Sequence, residues 1–160
     1  MTSILKVSEI QDLDRAVLPH FNFRSSVGQT IATGTVTVIT TFDTVTSDTH
    51  DFCDTTNKRI QFNSTTAGTY LITYGFQVNN KAPARVGAWI KTDASSNYIG
   101  YFEYGGGSAY QHQTWTFMNT FSASDFIYLV VYQDSGSDMT FYDDSTTTMG
   151  YPHISGVRIG

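Results

Sequence analysis

TVITTFDTVTSDTHDFCDTTNKRIQFNSTTAGTYLITYGFQV, residues Thr37 to Val78, is the stretch whose reading decides the fold. Near its end Tyr70, Ile72, Tyr74, Phe76 and Val78 fall on one parity, and Leu71, Thr73, Gly75 and Gln77 on the other. A period of two sustained over nine residues marks a half-buried β-strand, because successive side chains of an extended chain point to opposite faces. Just upstream, Thr65-Thr66-Ala67-Gly68 reads as a tight turn in which Gly68 takes a positive φ without steric cost. Arg59-Ile60-Gln61-Phe62 alternates again, after a polar loop. At the front, Val36, Val38 and Thr40 share one parity and Thr37, Ile39 and Thr41 the other, which predicts a threonine-rich strand over 36–42.

The same pattern recurs on both sides. His20 to Arg24 alternates as the first strand, and Ser25 to Gly34 reads as a loop. Arg85 to Thr92 is a strand with Val86, Ala88 and Ile90 inward and Trp89 on its other face. Tyr98 to Tyr104 is aromatic on its even positions, and Gly105-Gly106-Gly107 is a link. Gln111 to Phe121 carries Trp115, Phe117 and Phe121 inward. Phe126 to Tyr132 is apolar on both parities, so both of its faces need cover. Met139 to Tyr142 and Ile154 to Ile159 complete the set. Nine or ten short strands at this spacing predict an all-β, two-sheet antiparallel sandwich over residues 19–160.

Residues 1–18 differ. Ile10, Leu13, Val17 and Leu18 are spaced for one helical face, Ser8 is placed to cap it, and Pro19 stops it. Met1 to Val7 reads as an extended arm. An amphipathic segment this short cannot bury its apolar side alone in water. It packs on its own domain or docks on a partner, with Ile4, Val7, Ile10, Leu13 and Val17 as the anchoring side chains.

The 160 residues, 14% charged and 14% aromatic, suit one domain of pleated sheet. A net charge of −5 argues against a nucleic-acid partner, which requires a basic stripe, and against an anionic membrane surface. No apolar run approaches the ~20 residues of a membrane helix, and the first residues lack the pattern of a secretory signal. Cys53 is the single cysteine, so no internal disulfide forms.

Candidate chemistry is sparse. His50 and Cys53 stand three apart among Asp48, Asp51 and Asp54, a spacing that would suit a thiolate–imidazole nucleophile or two metal ligands. No second Cys–His pair accompanies them, and the segment reads as a loop. Asp134, Asp138, Asp143 and Asp144 match no established calcium-loop spacing and read as solvated turns. Gly105 to Gly107 lacks the Lys-Ser/Thr and helix of a phosphate loop. His20, His112 and His153 are isolated in sequence. The expectation is a protein with no catalytic residues, no metal and no cofactor.

Three passages resemble the globular head of the complement first component and the tumour-necrosis-factor-like jelly rolls. They are Phe42-Asp43-Thr44-Val45 with Arg59-Ile60-Gln61-Phe62, Gly68-Thr69-Tyr70 and Thr73-Tyr74; Asp125 to Leu129; and Ser155 to Ile159. The resemblance covers residues 19–160 and implies a jelly roll that assembles as a homotrimer around a threefold axis. Without a collagen-like stalk or a secretory signal, animal extracellular signalling is not the expectation. Ser3 to Gln11 is similar to the opening of small virion-associated proteins of tailed phages, notably marine ones. Phages use such jelly rolls as head decorations, fibres and receptor-binding tips. The resemblances together imply a virion-located protein: a trimeric capsid decoration (cement) or head-fibre protein whose arm meets the major capsid protein or another virion protein. Phe102, Tyr104, Tyr128 and Tyr132 offer more apolar area than one sandwich interior needs and are the expected trimer contacts. The alternative is a tail-fibre tip that binds a host surface glycan through Tyr101, Tyr110 and Trp115, with Gln111 beside them.

Overall fold

The computed structural model describes residues 17–79, 85–92, 97–105, 110–141 and 151–160, and for 78–79, 85–92, 97–98, 101–105 and 110–111 the backbone alone. The predicted helix, with Ile4, Val7, Ile10 and Leu13, lies outside the described residues, as do Asp143 and Asp144. The described chain contains no helix. It forms β1 (His20–Ser25), β2 (Gln29–Ile31), β3 (Thr37–Val38), β4 (Phe42–Asp48), β5 (Cys53–Asp54), β6 (Arg59–Gln61) and β7 (Gly68–Asn79). After these come β8 (Arg85–Thr92), β9 (Asn97–Gly105), β10 (Tyr110–Phe121), β11 (Phe126–Gln133), β12 (Met139–Phe141) and β13 (His153–Arg158).

All pairings are antiparallel and make two sheets. The first runs β2-β12-β7-β13-β1-β4, with β10 along the opposite edge of β7. The second runs β5-β6-β11-β8-β9, with β3 also on β11. The two-sheet sandwich expected from the alternating pattern is present. β7 is its centre: Tyr70, Ile72, Tyr74 and Phe76 are all fully buried, on the parity predicted to face inward.

Aromatic rings fill the space between the sheets in two groups, both fed by β7. Around Tyr70 lie Phe21, Phe52, Phe62 and Phe121, with Phe62 stacked on Phe121 at 4.2 Å between centroids. Around Tyr74 and Phe76 lie Trp115, Phe117 and Phe141. Each buried tyrosine hydroxyl has a carbonyl to bond: Tyr70 donates to Thr66 O at 2.7 Å, and Tyr74 to Gly100 O. Burial raises both phenols above their ordinary pKa, Arg158 offsetting part of the rise at Tyr70, so both stay protonated donors.

The structure corrects four expectations. The strand predicted over 36–42 is two strands, because the chain changes sheet at Ile39 to Thr41: β3 pairs β11, and β4 pairs β1. Ile39 and Phe42 are both buried but on opposite parities, and the threonines between them give too little contrast to show the switch. The polar loop after Phe42 contains β4 and β5. β4 is an edge strand with two register shifts against β1 and a single buried residue, so it carries no hydrophobic rhythm. The loop predicted over 25–34 contains β2, in which Ile31 is buried and the Gln29 side chain bonds Val38 O and Thr40 N. With these additions there are 13 strands among the described residues.

A bulge in β9 is the fourth. Ile99 pairs Ile90 and Phe102 pairs Ala88, so Gly100 and Tyr101 together oppose Trp89. Gly100 has φ 62°, and a Cβ there would stand 2.6 Å from the Phe117 ring. Because of the extra residue, the even positions Tyr98 and Phe102 do not share a row, and it is Ile99 that shares one with Phe102. Gly68 also has positive φ, at 152°, and a Cβ there would lie 2.6 Å from Arg158 Nε and 2.7 Å from Gly160 O. The turn itself is Ser64 to Thr66, and Gly68 opens β7 where the C-terminal segment crosses it.

Replacing Gly100 with valine is expected to cost about 2–4 kcal/mol, combining a left-handed backbone with ring overlap. Gly68→Val should cost at least ~1 kcal/mol. Urea midpoints within error of the parent protein would show that these positions do not require glycine.

Candidate interaction surfaces

The outward face of the first sheet is built from β10, β7, β13 and β1. Register places Met118 opposite Leu71, Leu71 opposite Val157, and Val157 opposite His20, one row across four strands. Met118 is 64% exposed and Leu71 41%. The next row runs Thr116, Thr73, Ser155, Asn22, with the Thr73 and Thr116 hydroxyls 2.9 Å apart; Thr69 and Thr120 make the same contact at 2.9 Å. The third row is Thr114, Gly75, His153, Arg24. The His153 ring lies over Gly75, where a Cβ would meet it at 2.8 Å, and stacks on His112 with 6.1 Å between centroids and planes 10° apart. Its Nδ1–H donates to Tyr151 O at 3.2 Å. Burial holds the His153 pKa below the usual imidazole value; the Tyr151 bond opposes this and neighbouring His112 adds to it.

The face is unusual in charge. β1, β7, β10 and β13 contain no Asp or Glu, in a chain with 14 of them and a net charge of −5. The carboxylates of this sheet stand on edge strand β4, where both are engaged. Asp43 accepts from the Ser26 and Thr44 hydroxyls, and Asp48 accepts the backbone N–H of His50, Phe52 and Cys53.

On the second sheet, the outward row of β11 carries Phe126, Tyr128 and Tyr132, all half-buried. Phe126 and Tyr128 meet edge to face at 5.5 Å. The Arg59 guanidinium lies 4.5 Å from the Phe126 ring centre and is held by Asp54 at 3.1 Å. This does not unite the four expected trimer contacts. Tyr128 and Tyr132 alternate with the buried Leu129 and Val131, whereas Phe102 and Tyr104 pair with Ala88 and Val86 in the rows of Val131 and Gln133. The quartet therefore divides between two sets of rows.

The expected glycan residues are also separated. Trp115 is half-buried on the core against Tyr74 and Phe76. Tyr110 pairs Asn79 at one end of β10, and Tyr101 sits in the β9 bulge of the other sheet. Of the arm, Val17 is described and is 60% exposed, as is Leu18. Leu71 and Met118 were not singled out by sequence reasoning. Their signal was present as apolar residues on the polar parity of two long strands.

Around Cys53 the geometry is that of a capped turn. Burial pushes the thiol far above its ordinary pKa, and Asp48 pushes it further. His50 Nδ1 contacts Thr49 Oγ1 at 2.8 Å. Among the described residues no group of three or more His, Cys, Asp or Glu is arranged to hold a metal ion. Because the thiolate is the reactive form, Cys53 in the folded protein should react with a disulfide reagent at pH 8 at least about tenfold slower than in denaturant. Equal rates would contradict the capped-turn account.

No protein-family model and no curated protein sequence matches this chain. Solved structures do. The globular domain of zebrafish complement 1qA protein superposes with a TM-score of 0.58 at 12% identity, covering 89% of this chain and 98% of that one. Murine APRIL at pH 5.0 gives 0.66 at 9% identity, covering 89% and 99%. Eiger TNF from S. frugiperda gives 0.64 at 7% identity, covering 89% and 93%. At such identities the likeness concerns the fold. The chain is an all-β jelly roll of the kind found in the complement C1q globular domain and the tumour-necrosis-factor-like proteins.

Proposed function

We propose that this chain is a non-enzymatic structural protein of a tailed-phage virion, a trimeric capsid decoration (cement) or head-fibre protein. In this reading the arm of residues 1–18 docks on the major capsid protein or another virion protein, and the jelly roll projects outward as a trimer joined through the first sheet. The observation that carries the self-association is the acid-free face of β10, β7, β13 and β1, with exposed Met118 and Leu71 in one row with half-buried Val157. Copies of a protein with net charge −5 repel one another. They meet at least cost where neither brings a carboxylate. Covering the exposed parts of Leu71 and Met118 contributes about 0.5–2 kcal/mol for each side chain, and the threonine hydroxyls beside them, already paired across strands, need little from water. The exposed Val17 and Leu18 supply apolar surface at the root of the arm.

The alternative, a tail-fibre tip that binds a host surface glycan, draws on the half-buried Phe126 and Tyr128, an edge-to-face aromatic pair beside the Arg59 guanidinium. It loses Trp115, whose ring is taken up by the core.

Native mass measurement should find a trimer at micromolar concentration, and the double variant Leu71→Glu/Met118→Glu a monomer with an unchanged far-ultraviolet spectrum. A monomeric parent protein would overturn the self-association. Removing residues 1–16, which spares the Leu18 and Pro19 carbonyls bonded to His20 and Arg158, should leave the trimer intact and abolish attachment to particles. Electron microscopy that finds no copy of the protein on the particle would remove the virion role.

A further inference from the structure

Three of the chain's four histidines occupy the outward face of the first sheet. His20 is in the Met118–Leu71 row, while His153, two rows along on the neighbouring strand β13, stacks with His112 of β10. Arg24, opposite His153, is the one permanently charged residue in those rows. We infer that this face is an acid-released contact: copies of the chain join through it at neutral pH and separate when its imidazoles take up protons. The inference rests on the self-association proposed above and adds its regulation.

The argument is geometric. His153 is faced by His112 and Thr114 from β10, by Gly75 and Gln77 from β7, by Arg24 from β1 and by Tyr151 from its own segment. None of these is a carboxylate. His20 donates from Nδ1 to Leu18 O at 2.9 Å, and its Nε2 lies 2.8 Å from the Ser47 hydroxyl. The other charged groups on strands beside it are engaged elsewhere. Asp48 caps the turn before Cys53, Asp43 bonds Ser26 and Thr44, and Arg158 bonds the Gly160 and Thr65 carbonyls.

Among the described residues of its own protomer, a proton arriving on this face therefore meets positive or neutral neighbours. In an assembly it meets the same face, or its rim, on a sister copy. Histidine is the side chain whose ordinary ionisation falls between pH 5 and 8, so acidification over that range adds like charge here and leaves the carboxylates elsewhere ionised. The sign follows. Burial already disfavours the charged form of His153, and covering the face deepens that burial, so protonation opposes association.

Sedimentation velocity of the full chain at pH 8 and at about pH 5 tests this, since histidine is the side chain that ordinarily titrates between those limits. The expected result is a trimer at pH 8 whose dissociation constant rises at least ~10-fold on acidification, with the fold retained by circular dichroism. The variant His112→Gln/His153→Gln should stay trimeric at both pH values. A trimer with the same affinity at both pH values overturns the acid release while leaving the self-association standing. A monomer at both overturns the two together. A parent that dissociates in acid alongside a double variant that dissociates equally shows that these two histidines are not the trigger, and overturns the inference as drawn.

Discussion

The double pairing of β7 is the constraint from which the rest of the molecule follows. Its twelve residues are bonded to β10 along one edge and to β13 and β12 along the other. No backbone donor or acceptor of its central part needs a further partner, so its inner side chains can be wholly apolar or phenolic. Tyr70 and Tyr74 then join the two ring clusters, and their hydroxyls bond the carbonyls at Thr66 and Gly100. Those two bonds tie the central strand to the turn before it and to the bulge on the opposite sheet. The interior is thus aromatic and polar-satisfied at once.

The same double pairing produces the outer face. Long strands in full register with their neighbours make a broad surface, and the alternation that sends Tyr70, Ile72, Tyr74 and Phe76 inward sends Thr69, Leu71, Thr73 and Gly75 outward. Threonine suits a half-covered pleat, and pairs of threonines close their hydroxyls on each other. Gly75 leaves room for the His153 ring to lie flat. With no acidic residue on four adjacent strands, the face is the part of an otherwise negative molecule best suited to meet a copy of itself.

Much of this was legible in the residues. β7, β8, β10, β11 and β13 were read within two residues of their ends, because each is a long run bounded by turn residues and, in β7, β10 and β13, the apolar residues keep a period of two. The sheet change at Ile39 to Thr41 was not, since threonine occupies both parities there and hides the switch of the buried parity between Ile39 and Phe42. Edge strand β4 escaped for the opposite reason: with one buried residue it has almost no rhythm. The β9 bulge shifted Phe102 and Tyr104 by one position, into register with Ala88 and Val86, a shift that alternation alone cannot register. The outward face of the first sheet was not singled out. A run of aromatics draws attention in a sequence, whereas Met118 and Leu71 each look ordinary until the register sets them side by side on an exposed face.

The central claim is that Met118 and its row are covered by sister copies in the native assembly. Peroxide oxidation at neutral pH, read residue by residue by mass spectrometry, measures this directly, with the buried Met139 as an internal reference at 4% exposure. The account predicts that Met118 oxidises nearly as slowly as Met139. Oxidation of Met118 at the rate of a free methionine, in protein that is folded and at working concentration, would contradict it.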